Sequence, residues 1–309
     1  AYTPAAPLWR GFERDPAQES TAFSTLPVLD ATWVDERIEH WVERTPSAVA
    51  LVGGDRQVTY RELWRRAGSV ARVLIRAGVR ADDCVGVLAS RTIETVVAML
   101  AVMRAGAAYV PLDPEHPSPR LEEQLSSTGA SVVVGLRDTL ERTGLLGRRS
   151  LALDEVDVAA MDVAPLRHGA ALLYVTFTSG SSGQPKGIAV EHRSMLSYLA
   201  GLGSRIDLVP GKKHAVLTTL AADVGNTAVY GALTSGGVLH LVEADVVKSP
   251  RRLADYVRRF GIDFLKSVPP HIETMLATDV EILPREALIL GGEVLPWSLA
   301  QAVTRRRRC

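Results

Sequence analysis

The sequence predicts an α/β protein built of helix-covered, largely parallel sheets. Short apolar runs alternate with amphipathic stretches from Thr32 onward, and strand–helix alternation of that kind builds parallel sheets covered by helices. Two of the runs, Ser131-Val132-Val133-Val134 and Ala171-Leu172-Leu173-Tyr174-Val175-Thr176, read as buried strands. Of the 309 residues 47% are apolar, enough to fill a sizeable core.

Residues 1–30 are rich in Pro, Ala, Ser and Thr, show no sustained period and read as a linker or arm, with 31–309 as the folded body. Val49-Ala50-Leu51-Val52, Gly53-Gly54 and Gln57-Val58-Thr59 predict a hairpin. Leu63, Ala67, Val70, Ala71, Leu74 and Ile75 recur at helical spacing, and Gly78 supplies the stop. Val85-Gly86-Val87-Leu88 predicts a strand, followed by a helix over about 92–105 that ends at Gly106. Further strands are expected at Ala215-Val216-Leu217, Val238-Leu239-His240-Leu241, Phe264-Leu265 and Ala287-Leu288-Ile289-Leu290. Helices fit near 191–203, 226–235, 250–260, 269–277 and 296–306.

Composition narrows the function. Lys and Arg number 35 against 35 Asp and Glu, so the chain has no electrostatic footprint for nucleic acid or an anionic membrane. Arg305-Arg306-Arg307-Arg308 is better read as cations at a helix C-terminus than as a nucleic-acid patch. Cys84 and Cys309 are too few for a disulfide framework or a cysteine-built zinc site. The start lacks a signal-peptide pattern, and the apolar run Val96–Met103 is broken by Arg104, so a cytoplasmic protein without a membrane span is expected.

One stretch carries chemistry. Tyr174-Val175-Thr176-Phe177 runs into Thr178-Ser179-Gly180-Ser181-Ser182-Gly183-Gln184-Pro185-Lys186-Gly187. A strand that opens into hydroxyls and glycines can aim backbone N–H groups at an anion, with Lys186 as a compact cation. Glycines let the backbone approach a phosphate without a Cβ clash. This is not the nucleoside-triphosphatase P-loop, because Gly187 rather than Ser or Thr follows the lysine. The alternative is a Ser/Gly-rich turn leaving a core strand.

The segment from Thr178 to Gly187 resembles the phosphate loop of the adenylate-forming enzymes. Val58-Thr59-Tyr60-Arg61-Glu62-Leu63, Met103-Arg104-Ala105-Gly106-Ala107-Ala108-Tyr109-Val110-Pro111-Leu112-Asp113-Pro114, Val190-Glu191-His192-Arg193 and Gly291-Gly292-Glu293-Val294-Leu295-Pro296 resemble further motifs of that family, in its order. Together they are similar to the N-terminal core of an adenylation domain of a nonribosomal peptide synthetase. The resemblance implies the fold of the large N-terminal subdomain, truncated, without the small C-terminal subdomain. It also implies further core motifs and four more pocket positions beyond Cys309, so that the chain alone is expected to be inactive.

The resemblance implies an ATP-dependent ligase that converts an amino acid to an aminoacyl adenylate, with Mg²⁺ assisting, and passes it to a phosphopantetheine thiol on a peptidyl carrier protein. A condensation domain preceding the arm and an MbtH-like protein are implied as neighbours. Thr178 and Lys186 become the catalytic candidates. Thr178, Ser179, Gly180, Ser181, Ser182, Gly183, Lys186 and Gly187 would hold the phosphates, with Gly292 and Glu293 along the adenine and substrate. No metal ligand is identified. Asp223, in Ala222-Asp223-Val224-Gly225-Asn226-Thr227, matches the carboxylate that pairs with the substrate's α-ammonium; the alternative is a helix cap, a role also open to Asn226. Ala222 and Gly225 depart from the aromatic and serine of the family pattern. Val224, Thr227, His271, Ile289 and Gly291 carry over as the remaining pocket positions, and Thr227 with His271 suit a small or polar side chain. His271 could instead bond backbone at a helix start. Two other readings stay open: a non-catalytic scaffold piece, and an acyl-CoA synthetase-like ligase for a simple carboxylic acid.

Overall fold

The computed structural model describes residues 31–147, 149–157, 163–167, 172–178, 186–278 and 280–306, so the arm at 1–30 lies outside the described residues. The chain enters as α1 (Val34–Arg44), the hairpin β1 (Val49–Gly53) and β2 (Arg56–Thr59), and α2 (Tyr60–Arg76). It continues as β3 (Cys84–Leu88), α3 (Ile93–Arg104), β4 (Ala108–Leu112), α4 (Ser118–Thr128), β5 (Val132–Gly135), α5 (Arg137–Arg142) and β6 (Arg149–Ala152). A second hairpin, β7 (Leu172–Thr178) and β8 (Lys186–Glu191), leads through α6 (His192–Gly203) and β9 (Lys213–Val216) to α7 (Asn226–Ser235). The last elements are β10 (Val238–Leu241), α8 (Ala244–Val247), α9 (Pro250–Phe260), β11 (Phe264–Ser267), α10 (Pro269–Leu276), β12 (Ala287–Leu290) and α11 (Trp297–Arg306).

Among the described residues the strands form two six-stranded sheets, ordered β12-β11-β9-β10-β1-β2 and β6-β5-β3-β4-β7-β8. Each is parallel except for one antiparallel hairpin at its edge, β1–β2 in the first and β7–β8 in the second. The largest apolar cluster lies between the sheets. It joins Leu51, Val216 and Leu239 of the first sheet to Val85, Val132 and Tyr174 of the second through α1, α2, α3 and α7. Outside the first sheet, Leu253 and Val257 of α9 and Ile272 of α10 cover Ala215 and Leu265. Outside the second, Leu121 and Leu125 of α4 and Leu140 of α5 cover Val110 and Val133. The result is an α-β-α-β-α layering, and the sandwiched helix α3 is buried along its whole length.

Several motif residues are explained by this packing. Thr59 caps α2: its Oγ1 accepts from Glu62 N at 3.2 Å, and Glu62 Oε2 accepts from Thr59 N at 2.9 Å. Such a box satisfies two orphan donors at once. Beside it the buried Tyr60 hydroxyl donates to Gly237 O at 2.8 Å, tying α2 to the end of α7. Arg104 is buried, with its guanidinium 3.9 Å above the Trp64 ring and bonded to the carbonyls of Trp64 and Val163. Gly106 sits at φ 75° with Leu166 O only 2.7 Å from where a Cβ would stand, so no larger residue fits. His192 is 1% exposed, and its Nδ1 accepts from Val34 N at 3.0 Å, fixing α1 to α6.

Within the arginine run, Arg306 is a fastener. Arg306 Nη2 donates to Leu276 O at 2.8 Å, so it satisfies the C-terminus of α10 rather than that of its own helix. Arg307 and Arg308 lie outside the described residues. Among the described residues no helix is long and apolar enough to cross a membrane.

Candidate active site

The hairpin β7–β8 presents the first group of predicted residues. Thr178 pairs with Lys186 at its open end, two adjacent, exposed positions that residues 179–185 connect. Gly187 follows on β8, opposite Phe177. An ammonium and a hydroxyl at the mouth of one loop can meet an anion from two sides. Ser179, Gly180, Ser181, Ser182 and Gly183 lie outside the described residues.

Four residues back along β7, about 13 Å in an extended strand, Tyr174 joins this hairpin to the second group. Its ring lies 5.4 Å from that of Tyr109, whose hydroxyl shares a 2.7 Å hydrogen bond with the Tyr230 hydroxyl and donates to Asn226 Oδ1 at 3.4 Å. Asn226 is the first residue of α7 and is 2% exposed. Its side chain makes no helix cap, which corrects that expectation: burial among three tyrosines gives the amide better partners than the helix end. Asp223 makes no cap either, since no side-chain cap bond forms at the 3₁₀ turn Asp223–Gly225 or at α7. The tyrosine–asparagine network therefore pins the start of α7 to the second sheet and leaves Asp223 exposed just before it.

The third group comes from the first sheet. Parallel strands β11 and β12 end side by side, with Lys266 paired to Ile289 and Ser267 to Leu290. Gly291, Gly292 and Glu293 follow the carboxyl end of β12, the end of a parallel sheet at which ligands collect. Gly292 takes φ 89°, and a Cβ there would stand 2.9 Å from Val224 Cγ2. That contact closes β12 onto the 3₁₀ turn and brings Asp223, Val224, Gly291 and Gly292 into one place. Glu293 is exposed beside them. One helical turn beyond Asp223, the buried Thr227 shares a 2.9 Å hydrogen bond with the Tyr198 hydroxyl of α6.

Side-chain alternation sorts the strand residues. Phe264 and Ile289 pack with Leu202 and Leu208 on the face toward α6, whereas Leu265, Leu288 and Leu290 face α9 and α10. Lys266, between Leu265 and Ser267, therefore shares the face of Ile289 and Gly291. His271 does not. Its Nε2 donates to Val247 O at 3.1 Å, which leaves Nδ1 to accept from the Ser267 hydroxyl at 3.0 Å. Both ring nitrogens are committed to joining α10 to α8 and β11 on the far face, so His271 is not brought together with the other predicted pocket residues.

Lys266 is the residue at this place that the motifs do not single out. It is 5% exposed, and burial pushes its ammonium below the usual lysine range while Asp223 partly restores it. Asp223 also acts on the Tyr174 hydroxyl, raising it further after burial. Asp223 thus lies within electrostatic reach of both sheets. The sequence signal for Lys266 is a charge inside the otherwise apolar run Phe264-Leu265-Lys266-Ser267-Val268, since lysine is almost never buried without a partner.

Among the described residues no group of three or more His, Cys, Asp or Glu could hold a metal ion.

The chain's sequence matches the profile of the family described as AMP-binding enzyme over residues 38–309. It is 36% identical over 268 residues to the AMB antimetabolite synthetase of Pseudomonas aeruginosa, covering 86% of this chain and 21% of the relative. With surfactin synthase subunit 2 of Bacillus subtilis it shares 30% identity over 266 residues, 82% of this chain and 7% of the relative. Among solved structures, it is similar to a four-domain nonribosomal peptide synthetase bound to AMP and glycine, at TM-score 0.77 and 26% identity, covering 87% of this chain and 20% of that one. A nonribosomal peptide synthetase bound to α-methyl-L-serine-AMP matches at TM-score 0.79 and 26% identity, over 88% of this chain and 31% of that one. The chain spans well under half the length of each of these relatives.

Proposed function

Because the chain belongs to the AMP-binding enzyme family, we propose that it activates the carboxyl group of an amino acid with ATP, as an adenylation unit of nonribosomal peptide synthesis. The observation that carries the choice of an amino acid is Asp223. It is an exposed carboxylate with no hydrogen-bond or ion-pair partner among the described residues, beside the contact of Val224 with Gly292. An α-ammonium supplies the charge it lacks.

In this reading the substrate carboxylate attacks the α-phosphorus of ATP, forming the acyl–oxygen–phosphorus bond and expelling pyrophosphate. Two anions must meet, so positioning and charge stabilisation dominate. Lys186, Thr178 and the loop they bound hold the phosphates that leave. Gly292 and Glu293 border the nucleotide, and Asp223, Val224, Thr227, Ile289 and Gly291 border the amino acid. Mg²⁺ would ride mainly on the phosphates of ATP, as it does where a protein supplies few carboxylates. The acyl group then passes to the phosphopantetheine thiol of a carrier protein, and AMP leaves.

ATP–pyrophosphate exchange separates this reading from activation of a simple carboxylic acid. A panel of L-amino acids is run against the same acids lacking the α-amine. At least one amino acid is expected to support exchange about a hundredfold faster than its deamino counterpart, the effect of one charge-assisted contact. Equal rates for the two would remove Asp223 from the pocket.

A further inference from the structure

Lys266 is a second unpaired charge within electrostatic reach of Asp223. The Asp223 carboxylate acts on its ammonium, yet neither has a hydrogen-bond or ion-pair partner among the described residues. Lys266 sits in a strand with neighbours on both sides, Val216 of β9 and Ile289 of β12. Its stem is enclosed, and its Nζ lies over the backbone of Gly291, 3.0 Å from where a Cβ would stand. A side chain at Gly291 would displace the ammonium; glycine leaves it room. Burial holds the ammonium below its ordinary range, so the charged form gains from any anion brought to it.

We propose that Lys266 makes this pocket selective for an α-amino acid whose side chain carries a carboxylate. The proposal rests on the reading that Asp223 receives the α-ammonium. A neutral amino acid would pair its ammonium with Asp223 and leave Lys266 desolvated and alone, a costly arrangement. An acidic amino acid brings both counter-charges, ammonium to Asp223 and side-chain carboxylate to Lys266. The α-carboxylate is not the partner of Lys266. It is the nucleophile, it must reach the phosphates at the Thr178–Lys186 end of the other sheet, and a buried ion pair would quench it.

The test is ATP–pyrophosphate exchange by the intact protein with L-aspartate, L-glutamate, L-asparagine and L-glutamine, repeated with Lys266→Met and Asp223→Ala. An acidic amino acid is expected to exceed its amide by about a hundredfold in kcat/KM, as when a site built for a polar group meets an analogue that lacks it. Lys266→Met is expected to lose that preference, the acid falling to the level of its amide. Met fills the same space without a charge, so the variant should melt at or above the parent temperature, which shows that a loss is not misfolding. Thermal stabilisation of the parent by L-aspartate or L-glutamate but not by the amides gives a readout independent of turnover. Preference for a neutral amino acid in the parent, unchanged in Lys266→Met, would overturn the proposal while leaving the Asp223 reading intact. Exchange that needs no α-amine, or that survives Asp223→Ala, would overturn the Asp223 reading and this proposal with it.

Discussion

Asp223→Ala is expected to lower kcat/KM for amino-acid-dependent exchange by about a hundredfold or more, the scale of losing a charge-assisted contact in a partly dry site. The same variant should melt within about 1 °C of the parent, because Asp223 makes no cap bond at either the 3₁₀ turn or α7. The pairing of outcomes matters. A capping residue would show the reverse, a stability loss of about 1 kcal/mol with the exchange kinetics preserved. Asp223→Asn keeps a hydrogen-bond acceptor but not the charge and should fall between parent and alanine variant. Exchange kinetics and a thermal melt on the three proteins decide between the two roles.

Acidification from pH 7.5 to pH 5 is expected to remove on the order of 5 kcal/mol of folding stability, a large share of what a domain has. Burial lowers three histidines from 6.5: His192 and His214 to about 3, and His240 to about 4. His192 Nδ1 accepts from Val34 N at 3.0 Å, His240 Nδ1 shares a 3.0 Å hydrogen bond with the Tyr256 hydroxyl, and His214 packs 4.7 Å from the Phe264 ring with Nε2 unpaired. The unfolded chain takes up these protons near pH 6.5 while the folded chain refuses them. Their contribution is therefore complete above that pH and is lost as pH falls toward 4 and 3, at about 1.4 kcal/mol per unit for each ring. Asp35 works in the opposite sense. Burial raises it to about 6 despite its 2.9 Å ion pair with Arg167, so it regains stability as pH falls from 6 to 4 and cancels part of the loss. Denaturant melts at the two pH values measure the difference, and His214→Leu should reduce it by about a third. A pH-independent midpoint would mean that the rings are hydrated and titrate normally.

The readable elements were those with a strong period or a clean apolar run, such as the first hairpin, α2, β3, α3 and the strands from β9 to β12. The elements not predicted share a different cause. In β4 Pro111 contradicts a strand, although Tyr109 and its neighbours are fully buried. Strand β8 begins at Lys186 and is mostly exposed, so its order comes from pairing with β7, not from its own pattern. That there are two sheets, each edged by one antiparallel hairpin, depends on long-range register that no local period encodes. At the site, the motif order names residues that fall on β7–β8, the 3₁₀ turn and the end of β12. It could not tell which face of β11 meets them. Lys266 and His271 lie five residues apart, and strand alternation separates Lys266, beside Gly291, from Ser267, whose hydroxyl bonds His271 on the far side.

In the proposed reaction a carboxylate attacks the α-phosphorus of ATP and expels pyrophosphate. Incubating the intact protein with ATP and an amino acid labelled with ¹⁸O in its carboxyl group, then cleaving the product with hydroxylamine, tests it directly. Attack at the α-phosphorus carries one labelled oxygen into AMP and releases pyrophosphate. Unlabelled AMP, or ADP with labelled inorganic phosphate, would place the chemistry elsewhere and contradict the account.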